Sequence, residues 1–263
     1  MKLSEKKLFL LDMDGTLYLG DDLFEGTVDF LNQVKKNGAR YIFVTNNSSK
    51  SADAYVAKLK KLGIESTKED FYTSTDATIL HIKNKFLGRK FYVVGTRSFV
   101  TQLSEAGINV TEELSDDISG LIISNDNELT FKKLEDACII LLRDDIEYIA
   151  TNPDWVCPTS FGYVPDCGSF AQMLEKATGK SPYFIGKPKP DMLLLSMEKF
   201  GIKNEEAVMI GDRVYTDIAS GYNAGIDTIF VLSGEGTMED AKGSSTPPTY
   251  IMENINEVYR NIK

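Results

Sequence analysis

Two aspartates two residues apart, Asp12 and Asp14, follow directly on an apolar run in the stretch FLLDMDGTLY. Three chemistries compete for that pair. Asp and Gly favour an acidic turn; one or two carboxylates are what a bound Mg²⁺ usually takes from a protein; and a carboxylate beside a second acid is equipped for covalent catalysis. Three more polar clusters stand after apolar segments. Thr45-Asn46-Asn47-Ser48-Ser49 follows RYIFV, where Asn and Ser suit helix capping and hydroxyls with free backbone N–H groups suit an anion. Lys187 lies in IGKPKP, held between Gly186 and Pro188, although most lysines are solvated surface charges. Asp212 closes the run AVMIG, and Asp217 lies five residues on, near a helix start where a capping or dipole role is the plain alternative.

The elements that must position these clusters alternate between strand and helix. Residues 8–12 read as a buried strand, 25–37 as a helix with Val28, Leu31 and Val34 on one face, 40–45 as a strand, and 51–62 as a helix with Tyr55, Leu59 and Leu62 at helical spacing. The rhythm continues with strands at 90–94, 120–123 and 147–151 and helices at 99–105 and 131–142. It returns with strands at 207–210 and 228–232, a helix at 217–223 and a last helix around Val258. Pro190 suits the first turn of a helix ending near Phe200. Such alternation predicts parallel sheets covered on both faces, and an open parallel sheet binds ligands beyond the carboxyl ends of its strands. All four clusters fall at such ends. Together they supply carboxylates for a cation, hydroxyl and amide donors for an oxyanion, and one lysine, an inventory that suits phosphoryl transfer.

The composition is compatible. The chain has 263 residues, 42% hydrophobic and 26% charged, with a net charge of -10, which argues against a nucleic-acid partner. An anionic small substrate would need a local positive centre. Cys138, Cys157 and Cys167 have no CxxC spacing and read as reduced thiols of a cytoplasmic protein. The apolar run at 8–11 is too short for a signal segment, and no stretch approaches the roughly 18 apolar residues of a membrane span. The segment 152–168 contains the single tryptophan, Trp155. Trp155 is expected in the core rather than stacked on a ligand, and Cys157 and Cys167 as inert small residues. The single histidine, His81, is expected on a helix surface.

In order, DMDGT, TNN, GKP and GDRVYTD resemble the four motifs of the haloacid dehalogenase (HAD) superfamily of phosphohydrolases. TNN, ATNPD (150–154), PDCGS (165–169) and GKPKP are similar to those of its subclass IIA, the NagD-like and 4-nitrophenyl phosphatase group. The resemblance covers essentially the whole chain. It implies an α/β fold, a Rossmann-like three-layer parallel-sheet core at 1–86 and 183–263, with an α/β cap domain inserted at 87–182. The implied activity is Mg²⁺-dependent hydrolysis of a small phosphorylated metabolite (a sugar phosphate, nucleotide or similar) through an aspartyl phosphate. Asp12 would be the nucleophile and Asp14 the general acid, then base. The Asp12 carboxylate, the Asp14 carbonyl and Asp212 would hold Mg²⁺. Thr45 and Asn46, supported by Asn47, would hold phosphoryl oxygens. Lys187 would pair with both nucleophile and phosphoryl group, and Asp217 would orient Lys187 or a water of the metal. Trp155 and Cys157 become candidate specificity residues of the cap, through which relatives often dimerise. A phosphotransferase or mutase on the same core, a receiver module and a noncatalytic phosphate-binding module are the competing functions. Length counts against the receiver, and the presence of both Asp12 and Asp14 against the binding module.

Overall fold

A computed structural model describes residues 1–159 and 161–263. In chain order the elements are β1 (Leu8–Leu11), the hairpin β2 (Tyr18–Leu19) and β3 (Asp22–Leu23), α1 (Thr27–Lys36), β4 (Arg40–Thr45), α2 (Ala52–Lys61), β5 (Phe71–Thr73) and α3 (Ser74–Lys85). Then come β6 (Lys90–Val94), α4 (Arg97–Glu105), β7 (Asn109–Thr111), β8 (Gly120–Ile123), α5 (Phe131–Leu141), β9 (Glu147–Ala150), the hairpin β10 (Val156–Thr159) and β11 (Gly162–Pro165), α6 (Cys167–Thr178) and β12 (Tyr183–Phe184). The chain ends with α7 (Asp191–Phe200), β13 (Ala207–Gly211), a π turn (Val214–Ile218) running into α8 (Ala219–Ala224), β14 (Asp227–Val231), α9 (Met238–Gly243), β15 (Tyr250–Met252) and α10 (Ile255–Ile262).

Two parallel sheets result. The first has six strands in the order β15-β14-β13-β1-β4-β5, the second five in the order β12-β9-β8-β6-β7. The all-apolar β1, LFLL, is buried along its length, as a central strand covered on both faces must be. Leu11 pairs with Ile210 of β13 on one side and Phe43 of β4 on the other. The chain fills one side of β1 with β4 and β5, then returns to build the other with β13 to β15. The carboxyl end of β1 is therefore the switch point at which such sheets open a crevice.

Alternate β1 residues face different layers. Phe9 and Leu11 join Phe30, Leu31 and Val34 of α1, Tyr55 and Leu59 of α2, and Val258 of α10. Leu8 and Leu10 face the other way with Met192 and Leu193 of α7, in a cluster continuing into Phe91, Val93, Ile122 and Ile149 of the second sheet. On α1 the buried stripe is Thr27, Phe30, Leu31 and Val34. Val28, expected on it, is 36% exposed, because it lies about 100° round the helix from Thr27, off the stripe that Thr27, Phe30, Leu31 and Val34 share.

β5, α3, the β10–β11 hairpin and α6 are among the elements that no local sequence signal marks. On α3 the buried positions are Ser74, Thr75, Ala77, Thr78 and Ile82, so its inner face is too polar to show as an apolar stripe. Two single residues differ from expectation. Trp155 is 51% exposed, not core, and its carbonyl accepts bonds from Asp166 N and Ser169 Oγ. His81 is half-buried, with its ring stacked on Tyr183 at 5.0 Å. Trp155 stands on the link between β9 and β10, and His81 on the face of α3 that meets Tyr183 of β12; composition reveals neither placement.

Candidate active site

Beyond β1 the backbone continues far enough for Asp12 N–H to donate to Ile210 O at 2.9 Å. Side chains there still alternate, as they do along a strand. Met13 is fully buried, while Asp12 and Asp14 both line the cleft. The spacing of two is thus a geometric requirement. Gly15 then turns the chain at φ +87°, and a Cβ on it would collide with the Asp212 carboxylate.

Lys187 reaches the same point from the loop that joins β12 of the second sheet to α7. It is 1% exposed, and its three ammonium hydrogens have three acceptors: Asp12 Oδ1 at 2.8 Å, Asp217 Oδ1 at 2.6 Å and Val44 O at 2.9 Å. Burial alone would push the ammonium down, but Asp12 and Asp217 more than reverse this and hold it protonated. Its loop is pinned by Asn46, whose side-chain amide accepts from Lys187 N at 2.8 Å and donates to Lys187 O at 3.0 Å. A Cβ on Gly186 would strike Asn46 and the Thr151 carbonyl, so the close approach depends on glycine. The Asn46 side chain therefore serves Lys187. Thr45, 4% exposed, lines the cleft, and its hydroxyl accepts from Asn47 N at 3.1 Å. Asn47 Oδ1 accepts from Ser49 N and Oγ.

Asp212 and Asp217 complete the floor. Asp212 Oδ2 accepts from Glu235 N at 2.7 Å. Asp217 spends one oxygen on Lys187 and the other on Arg213 N, at 3.0 Å, an arrangement that orients the lysine. Oxygens of Asp12, Asp212 and Asp217 all lie within 4.8 Å of one another. The charge does not balance: the three clustered carboxylates of Asp12, Asp212 and Asp217 face the single ammonium of Lys187. Burial, followed by repulsion from Asp217, pushes the Asp212 carboxyl up to about 7. Burial raises that of Asp12 as well, against the pull of Lys187, with Asp217 and Asp212 adding to the rise. An excess of hard oxygen donors in a low-dielectric crevice fits a small divalent cation.

The second sheet contributes the roof, and here the structure adds residues to which no role was assigned from sequence. Arg213 forms ion pairs with Glu235 at 2.8 Å and Asp154 at 3.4 Å and donates to Val156 O at 3.2 Å. One guanidinium thus joins the loop after β13 to the hairpin above it. Asp154 is held by Asn152, which also bonds Asp166, and Asp166 is held in turn by Asn125. Burial and then Asp154 push the Asp166 carboxyl up to about 7. Arg213, Asp154 and Asp166 all belong to the quoted motifs, and that was the available signal. Cys157 lines the cleft, its Sγ 3.8 Å from Asn47 Nδ2. Burial first, then Asp166, pushes the thiols of Cys157 and Cys167 up to about 12, so both are protonated and unreactive near neutral pH. Trp155 does not line the cleft.

Residues 9–109 match the family model for haloacid dehalogenase-like hydrolases, and residues 184–258 match the HAD-hydrolase-like model. The chain is 34% identical to acid sugar phosphatase of Staphylococcus aureus (strain MRSA252), covering 99% of this chain and 100% of the other. It resembles the crystal structure of 4-nitrophenylphosphatase from Thermotoga maritima with a TM-score of 0.91 and 38% identity over 99% of each chain. It also resembles glycerol phosphate phosphatase from Mycobacterium tuberculosis in complex with magnesium, with a TM-score of 0.90 and 29% identity over 100% of this chain and 78% of that one. The chain belongs to the haloacid dehalogenase-like hydrolases, in the branch that holds the NagD-like proteins and 4-nitrophenylphosphatases.

Proposed function

We propose that this HAD-type phosphatase hydrolyses phosphate monoesters of small metabolites, sugar or polyol phosphates foremost, through an aspartyl phosphate on Asp12. The observation that carries the reading is the Asp12 carboxylate itself. It sits at the switch point, one oxygen 2.8 Å from a buried lysine and within 4.8 Å of two further carboxylates. The sugar and glycerol phosphate phosphatases among its relatives support the substrate class.

An Asp12 oxygen attacks phosphorus and the bond to the leaving oxygen breaks. Asp14 gives its proton to that oxygen, then takes one from the water that attacks the aspartyl phosphate, and Asp12 and inorganic phosphate are released. Lys187 offsets the repulsion between carboxylate and phosphate, which is severe where water is scarce. Asp217 keeps Lys187 aimed. The Thr45 hydroxyl and the backbone N–H of Asn46 hold phosphoryl oxygens, while Asn47 supports them through its N–H to the Thr45 hydroxyl. Asp12, Asp212 and the Asp14 carbonyl would hold Mg²⁺, which supplies charge neutralisation for the phosphoryl oxygens when bound; the magnesium and calcium complexes of the glycerol phosphate phosphatase support a divalent ion here.

The division into a core of 1–86 and 183–263 and a cap of 87–182 belongs to the same reading, supported by a second sheet running from Lys90 to Phe184. A cap-to-cap homodimer finds support in Phe131 and Leu142, 81% and 79% exposed, and light scattering tests it. Free cysteines support a reducing, cytoplasmic setting; no helix among the described residues is long and apolar enough to cross a membrane.

Hydrolysis of 4-nitrophenyl phosphate with Mg²⁺ is the direct test. EDTA and Asp12→Asn should each abolish it, and turnover by the Asp12→Asn protein at the wild-type rate would refute the mechanism. An aspartyl phosphate that turns over only when a sugar acceptor is added would point instead to a phosphotransferase.

A further inference from the structure

Asp14 is gripped from a side the motifs do not describe. Lys58 Nζ lies 3.5 Å from Asp14 Oδ1, while the Tyr18 hydroxyl lies 3.5 Å from Asp14 Oδ2. The same Lys58 ammonium sits over the Tyr18 ring, 3.8 Å from its centroid. The three groups form a closed triangle: cation to carboxylate, cation to ring face, ring hydroxyl to carboxylate. Each contact is of a favourable kind.

The triangle is built on rigid supports. Tyr18 is fully buried in the hairpin directly after the aspartate turn. Lys58 lies between the two buried anchors of α2, Tyr55 and Leu59, and the Tyr55 ring stacks on Phe71 at 5.8 Å. The Lys58 side chain is 20% exposed, whereas Lys60 and Lys61 on the same helix are exposed. The helix thus presents one lysine inward, its ammonium facing the Asp14 carboxyl.

We propose that Lys58, braced on Tyr18, is a positioning residue that fixes the Asp14 carboxyl for proton delivery to the leaving group. This rests on the reading of Asp14 as general acid. When the phosphorus–oxygen bond breaks and Asp12 takes the phosphoryl group, the proton of Asp14 must travel to the departing oxygen along one direction. A carboxyl on a single-bonded stem can rotate away. With one oxygen facing Lys58 and the other Tyr18, rotation is restrained and the acid stays aimed.

The consequence is selective. An alkoxide leaving group needs that proton, whereas 4-nitrophenolate leaves without it. The ratio of kcat/KM for an alkyl or sugar phosphate to kcat/KM for 4-nitrophenyl phosphate isolates the effect, because kcat/KM reports steps through aspartyl phosphate formation. Measured on one preparation, the ratio is also independent of the fraction folded. General acid catalysis is worth roughly 10²- to 10⁴-fold, so Lys58→Met should lower the ratio by about 10-fold or more. Lys58→Arg should recover most of it, and Tyr18→Phe should lower it by less.

Asp14→Asn, assayed beside them, tests the underlying reading. If it lowers both substrates alike, the acid assignment fails and this proposal with it. If Asp14→Asn depresses the ratio while Lys58→Met leaves it unchanged, Asp14 keeps its role and the positioning role of Lys58 is overturned.

Discussion

Lys187 has its ammonium spent on Asp12, Asp217 and a carbonyl, with no hydrogen left for solvent. Removing one partner of a buried ion pair leaves an uncompensated charge and costs about 3–5 kcal/mol. Lys187→Met should therefore lose stability of about 3 kcal/mol or more in urea unfolding, as well as activity. A divalent cation binding the vacated carboxylates should recover part of the stability, so the deficit should shrink when Mg²⁺ is added. A Lys187→Met protein as stable as wild type in EDTA would show that the carboxylates do not depend on that lysine. The motif already marked this lysine as functional. Its burial was not legible, since a lysine between Gly and Pro reads as readily as a solvated loop charge.

The corner where β9, the β10–β11 hairpin and α6 meet is held by a network of buried polar groups. Asp166 caps α6 through Cys167 N at 2.5 Å and accepts from Asn152 at 3.1 Å and Asn125 at 3.0 Å. Its folded carboxyl lies near 7 rather than the ordinary 3.8, with burial the chief cause and Asp154 next. A raised folded value means that the folded state holds the proton where the unfolded chain has released it. Stability from this group is therefore complete below pH 3.8 and lost as pH rises through about 7. In EDTA, the fall in wild-type stability between those limits should be steeper than in Asp166→Asn, by chemical denaturation at each pH. Equal slopes would assign the burden to another carboxyl. At this scale the strands were the most legible parts: 40–45, 90–94 and 120–123 were read with the bounds observed. A buried strand shows as a short unbroken apolar run. The hairpin and α3 were not legible, because their inward faces are polar or half-exposed and have no period to find.

Across the whole molecule, Arg213 is the ionic tie between the two sheets at the cleft. It is fixed to Glu235 on its own side and reaches Asp154 and the Val156 carbonyl on the other. Arg213 directly follows Asp212, so the tie and the carboxylate floor share one loop. Arg213→Lys keeps the charge but not the three-way fork. It should raise KM for a sugar phosphate by about 10-fold, the equivalent of about 1.4 kcal/mol, with a smaller change for inorganic phosphate as a product inhibitor. Steady-state kinetics and phosphate inhibition separate these, and equal weakening of both would place the effect in the phosphoryl site.

The two-residue spacing of Asp12 and Asp14, the chemistry of the four strand-end clusters and the α/β class were all present in the chain order. Each depends on local rules: side chains alternate along a strand, apolar runs become buried strands, and parallel sheets gather ligands at one edge. Tertiary structure decided which groups spend their hydrogen bonds on one another. Asn46 clasps Lys187, Arg213 joins floor to roof, and Lys58 and Tyr18 hold Asp14. It also put Trp155 at the surface. Those outcomes depend on how helices and loops distant in sequence come to rest against one another, a sum of packing and desolvation over the whole core that no local pattern encodes.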